Sequence, residues 1–90
     1  MPVIREINGK SLHIGEGTWL AETAVVLGDV TLGEDCSVWY NAIIRGDVNS
    51  IHIGNRTNIQ DGAVVHCTYK KAATVIGNSV FIEKGAKVTC

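Results

Sequence analysis

An all-β fold, a triangular parallel β-helix of about four coils, follows from three features of this 90-residue sequence. An aliphatic residue followed by small or polar ones returns every six residues at Ile14, Leu20, Val26, Leu32, Val38 and Ile44. Six is the period of neither a strand nor a helix, so it belongs to a repeated structural unit. The series slips by three residues after Ile44, resumes at Ile53, Ile59 and Val65, slips by five across Tyr69 to Ala73, and resumes at Ile76, Ile82 and Val88. Grouped in threes, these positions open each time on the same pair: Ile14-Gly15, Leu32-Gly33, Ile53-Gly54 and Ile76-Gly77. The unit is therefore a coil with three faces, and its anchors line one core in three columns.

The elements follow in order. Residues 1–12 stand outside the series, and Val3-Ile4 and Ile7 are expected to form a short strand or lead-in turn capping the first coil, because terminal repeats must differ from interior ones. Residues 13–90 form the coils, the last incomplete, and the whole is a single domain. The first coil carries Ile14, Leu20 and Val26, with Trp19 at a corner. The second carries Leu32, Val38 and Ile44. Its Cys36 stands where the other coils have Thr18, Thr57 and Val80, an inward-facing small side chain. Trp39 directly follows an anchor, so it points away from the interior to cover a neighbour or a subunit interface.

The third coil, Ile53, Ile59 and Val65, is preceded by a slip containing His52, and the fourth carries Ile76, Ile82 and Val88. Thr18, Ala24, Val30, Ala42, Val48, Ala63 and Ala86, each four residues after an anchor, let the chain round a corner without overfilling the core. The glycines are spread evenly, as recurring turns require; a phosphate cradle would gather them between one strand and one helix.

Composition narrows the function. A formal charge of -1, with no basic cluster beyond Lys70-Lys71 in the second slip, argues against nucleic acid as a partner. The lysine pair reads as a solvated loop. No apolar run is long enough to span a membrane and the N-terminus lacks the pattern of a secretory signal, so a cytoplasmic location is the default. Cys36, Cys67 and Cys90 are odd in number and lack a CxxC spacing, which disfavours a disulfide framework.

A specific signal lies in Val38-Trp39-Tyr40-Asn41-Ala42-Ile43-Ile44-Arg45-Gly46-Asp47-Val48-Asn49, followed by Ile53-Gly54 and by Thr57-Asn58-Ile59-Gln60-Asp61-Gly62-Ala63-Val64-Val65-His66. This arrangement closely resembles the gamma-class carbonic anhydrase family of hexapeptide-repeat proteins, over about His13 to Gly77. The resemblance implies a left-handed β-helix, a homotrimer with metal sites between subunits, and interconversion of carbon dioxide and bicarbonate on zinc or another divalent metal held by three histidines. Under it, His66 matches the first of those metal ligands. Gln60 matches the polar side chain near metal-bound solvent, and Asn58 a residue lining the same pocket. Arg45 and Asp47 match a charged pair at the subunit boundary, supported by Asp61.

General chemistry suits this assignment. Zinc on neutral imidazoles keeps its positive charge and lowers the pKa of bound water to about 7. A carboxamide such as Gln60 orients hydroxide or carbon dioxide without adding a competing anion. Arg45 is expected beside His66, because Ile44 and Val65 are stacked anchors.

The sequence departs from the family pattern beyond Ile76-Gly77. Where the pattern has Gly-His and then a second histidine five residues later, this chain has Glu83-Lys84 and Thr89. His13 and His52 belong elsewhere in the stack, and Glu83 or Cys90 reaches a metal only after a register shift. Two classes of function therefore stay open: a carbonic anhydrase whose activity is weak or absent in this chain, and a noncatalytic trimeric assembly module that keeps Arg45, Asp47, Asp61 and His66 for subunit contacts. Acyl transfer, the third class, calls for a general base beside an acyl-carrier cleft, and no such arrangement is displayed.

Overall fold

The computed structural model describes residues 1–7, 12–66 and 73–89. Lys70-Lys71, Cys67, Cys90 and most of the second slip lie outside the described residues. The described elements are strands: β1 (Val3–Arg5), β2 (His13–Ile14), β3 (Trp19–Leu20), β4 (Val25–Leu32), β5 (Ser37–Val38), β6 (Ile43–Ile53), β7 (Asn58–Ile59), β8 (Val64–His66), β9 (Thr74–Ile76), β10 (Phe81–Ile82) and β11 (Lys87–Val88). Every pairing among them is parallel. The result is a β-solenoid of about four turns. None of the described residues belongs to a helix long and apolar enough to cross a membrane.

The solenoid has three faces. Face one stacks β2, the ends of β4 and β6, and β9. Face two stacks β3, β5, β7 and β10. Face three stacks β1, the starts of β4 and β6, β8 and β11. The anchor columns are in register as expected: Ile14, Leu32, Ile53 and Ile76; Leu20, Val38, Ile59 and Ile82; Val26, Ile44, Val65 and Val88. The interior anchors are buried, whereas Ile14, on the lowest coil, is 38% exposed because nothing described stacks beneath it. The third column starts earlier than the periodicity indicates. Ile4 pairs with Val26, so the lead-in strand occupies a face-three position below the first coil.

Two edges of the prism are β-turns. Between faces two and three the turns end on inward alanines: Ala24, Ala42 and Ala63 are fully buried, and their N–H groups bond the carbonyls of Ala21, Trp39 and Gln60. In the turns that end on Ala42, Ala63 and Ala86, the residues before the alanine, Asn41 (φ 63°), Gly62 (φ 70°) and Gly85 (φ 67°), take the left-handed conformation. Between faces one and two, inward donors form a ladder. Thr18 Oγ1 donates to Gly33 O at 2.6 Å, Cys36 Sγ to Gly54 O at 3.0 Å, and Thr57 Oγ1 to Gly77 O at 2.8 Å. Cys36 is buried as expected and acts as a sulfur counterpart of the threonines.

The third edge corrects three expectations. Instead of a turn per hexapeptide, β4 and β6 run through it unbroken, by way of Gly28 and Gly46. Gly28 has φ 78°, and a Cβ there would lie 2.4 Å from Gly46 O, so only glycine fits. The first slip is taken up at this edge, where Val30 pairs with Ile51. Ile51 is therefore the buried corner residue, and Val48 is 44% exposed on the outward bulge. His52 lies beyond the slip, paired with Thr31 and Val75. Trp19, for its part, stands within strand β3 rather than at a corner.

Candidate functional site

The residues singled out by motif fall on two faces and the edges beside them. On face three, the outward row runs Arg5, Leu27, Arg45, His66, each a Cα partner of the next. Arg45 and His66 are thus neighbours, as the stacked anchors imply. Val88 pairs with Val65, so Thr89 follows one strand beyond His66 in the same row. Asp47 lies just past Gly46, and its Oδ2 is 3.5 Å from an Arg45 guanidinium nitrogen. The Arg45 side chain is 45% exposed and that of Asp47 29%, so this long pair contributes little to monomer stability. Asp47 Oδ1 is buried and accepts no hydrogen bond among the described residues.

Asn58 and Gln60 stand on face two. Asn58 pairs in register with Ser37 below and Phe81 above. Its Oδ1 accepts a hydrogen bond from Ser37 Oγ, which in turn accepts one from Trp39 Nε1 at 2.9 Å. Gln60 is half-buried and its N–H bonds Ile82 O at 3.0 Å. Asp61 is at the turn leading toward face three. Its carbonyl accepts from Gly85 N at 2.9 Å, and the register places Lys84 above it in the next coil.

One prism therefore brings Arg45, Asp47 and His66 together, stacks Lys84 on Asp61, and leaves Asn58 and Gln60 on another face. A site using all of them needs face two of one prism set against face three of another. Among the described residues, no group of three His, Cys, Asp or Glu side chains is placed to hold a metal ion. His66 has Arg45 on one side and Thr89 beyond it on the other, a cation and a neutral hydroxyl. This donor set does not fit a tri-histidine metal site.

The comparisons with known proteins fall on the same residues. The family model described as "Bacterial transferase hexapeptide (six repeats)" matches residues 11–46. A probable carbonic anhydrase of Methanocaldococcus jannaschii is 53% identical over 75 residues, covering 83% of this chain and 46% of that protein. The mitochondrial gamma carbonic anhydrase 3 of Arabidopsis thaliana is 42% identical over 82 residues, covering 86% of this chain and 32% of its own length. This chain is a gamma carbonic anhydrase-like hexapeptide-repeat protein. The crystal structure of a hexapeptide transferase family protein from Anaplasma phagocytophilum superposes on this gamma carbonic anhydrase-like chain with a TM-score of 0.89 at 37% identity, over 97% of this chain and 50% of the other. The chain thus spans half or less of the length of these relatives.

Sequence reasoning missed the part Ser37 plays in this gamma carbonic anhydrase-like prism. A signal was present: Ser37 and Trp39 are two residues apart, which sets both on the outward side of one strand. Trp39 packs outward as expected, against Trp19 of the coil below, with ring centroids 4.8 Å apart. Its indole N–H adds a polar role.

Proposed function

We propose that this chain is a gamma carbonic anhydrase-like subunit whose own hydration of carbon dioxide is weak or absent, and which keeps Arg45, Asp47, Asp61 and His66 for contacts in a homotrimer. The observation that carries this reading is the placement of Thr89 next to His66 and of Lys84 above Asp61. Those are the positions where the resemblance calls for imidazoles. A threonine hydroxyl is a poor partner for zinc, and a lysine ammonium repels a divalent cation. The buried Asp47 Oδ1, unpaired among the described residues, supports the assembly role, since a donor from a second copy would satisfy it.

The second reading is metal-dependent interconversion of carbon dioxide and bicarbonate, with His66 as ligand, Gln60 orienting the reacting oxygen and Asn58 lining the pocket. The pairing of Arg45 with His66 and the fixed orientation of Asn58 favour it. Native mass spectrometry after zinc addition, joined to a stopped-flow carbon dioxide hydration assay, separates the two. The expected result is a trimer whose zinc content is unchanged in His66→Ala and whose rate equals the uncatalysed one, with zinc gained in the Lys84→His, Thr89→His double variant. Zinc that is lost in His66→Ala, accompanied by a rate above background, would establish the second reading. A monomer at micromolar concentration would remove the assembly role.

A further inference from the structure

The outward row of face two runs Trp19, Ser37, Asn58 and Phe81, each a Cα partner of the next. Ser37 is the junction of two hydrogen bonds. The Trp39 indole N–H donates to Ser37 Oγ at 2.9 Å, and the Ser37 hydroxyl donates to Asn58 Oδ1. The direction of this chain follows from the donor inventory together with the Asn58 carboxamide, whose Oδ1 faces Ser37 Oγ. An indole nitrogen can only donate, and a serine hydroxyl has one proton and two lone pairs. With Oγ accepting from Trp39, its single proton goes to the Asn58 carbonyl. Turning the carboxamide over would aim two N–H groups at one oxygen and send the serine proton elsewhere. The relay runs one way, so each bond polarises and strengthens the next.

Trp39 is itself held. The Trp19 ring packs edge-on against it at 4.8 Å and 65°, and Tyr40 closes on Trp19 at 6.0 Å and 78°. Ser37, Trp39 and Asn58 are all half-buried, so the network is partly shielded from competing water.

We propose that Ser37 and Trp39 are positioning residues for Asn58: they bind its carbonyl oxygen within the row and leave its Nδ2–H2 turned away from Ser37 as a donor to a small oxyanion of the bicarbonate class. This rests on the reading of Asn58 as a residue of the site. An unanchored carboxamide presents donor and acceptor in turn and so repels an anion in half of its orientations. The relay removes the wrong one without introducing a charge.

The test is side-chain NMR of the 15N-labelled full chain, with Asn58 Nδ2–H2 and Trp39 Nε1–H assigned from Asn58→Asp and Trp39→Phe. In Ser37→Ala, the Trp39 indole proton is expected to exchange with solvent about tenfold faster, the scale of one lost neutral hydrogen bond. The Asn58 side-chain signals move, while the Trp19 indole and the backbone amides of β5 and β7 stay in place. Ser37→Thr, which keeps the hydroxyl in a strand-compatible residue, restores both signals. Bicarbonate, with chloride at equal ionic strength as control, shifts Asn58 Nδ2–H2 in the parent chain, and about tenfold more of it is needed in Ser37→Ala. Unmoved Asn58 and Trp39 signals in Ser37→Ala would overturn the positioning proposal. A relay that responds to Ser37→Ala, together with Asn58 signals blind to bicarbonate in the parent, would instead overturn the donor role and the reading of Asn58 as a site residue.

Discussion

Replacing Gly54 by alanine is expected to damage the stack, whereas the same change at Gly77, its counterpart one coil higher, leaves it intact. A Cβ on Gly54 would lie 2.3 Å from Asn78 Oδ1, 2.8 Å from the Gly77 carbonyl carbon and 2.9 Å from Asn78 N. The first contact is the end of a side chain, which can swing aside. Doing so breaks the hydrogen bond that Asn78 Oδ1 accepts from Asn55 N at 2.7 Å, a loss of about 1 kcal/mol. The other two contacts are backbone and cannot rotate away, so the fourth coil must lift.

Lifting it strains the bonds from Gly54 N to Ile76 O, from Ser79 N to Asn55 O and from Thr57 Oγ1 to Gly77 O, each 2.8 Å long. Weakening these adds about 1–3 kcal/mol, for a total of roughly 2–4 kcal/mol. Among the described residues a Cβ at Gly77 meets nothing within 4 Å, and φ is not in the left-handed region. Gly77→Ala is therefore expected to be neutral, or stabilising by up to about 1 kcal/mol through the unfolded chain. Urea unfolding followed by circular dichroism measures both, and the midpoint of Gly54→Ala should fall far below that of Gly77→Ala. Equal losses in the two variants, or a Gly54→Ala unfolding free energy within about 0.5 kcal/mol of the parent, would refute the reasoning from coil-to-coil contact.

Two further substitutions probe the core in the same assay. Cys36→Thr keeps a donor to Gly54 O and matches Thr18 and Thr57 in the ladder, so it should cost under about 1 kcal/mol; Cys36→Ala removes the donor and should cost about 1–2 kcal/mol. Ile44→Ala, at a fully buried anchor, should cost about 2–5 kcal/mol, while Ile14→Ala, 38% exposed on the lowest coil, should cost distinctly less.

The candidate site was legible where it is local in the chain. Ile44 and Val65 are anchors of one column, so the residues that follow them, Arg45 and His66, had to be neighbours on the outer surface, and they are. His52 was misplaced because a slip in the series reports how many residues are extra but not where they bulge. The glycine pair Gly28 and Gly46 sets that point, since their backbones approach too closely to admit any side chain. For the same reason Ile51, and not Val48, is the buried corner residue. The polar task of Trp39 was hidden because its partner Ser37 is recognised only once β7 brings Asn58 alongside.

By itself, the sequence determined the coil, its three faces and its columns of anchors. All of these follow from spacing, because each anchor stacks on its counterpart in the next coil. Tertiary structure decided which edge of the prism absorbs the insertion, which glycines are irreplaceable, and that Ser37 joins Trp39 of its own strand to Asn58 of the next coil. Those outcomes depend on contacts between residues about 20 positions apart, where backbone approach and hydrogen-bond direction decide the arrangement and the hydrophobic period does not.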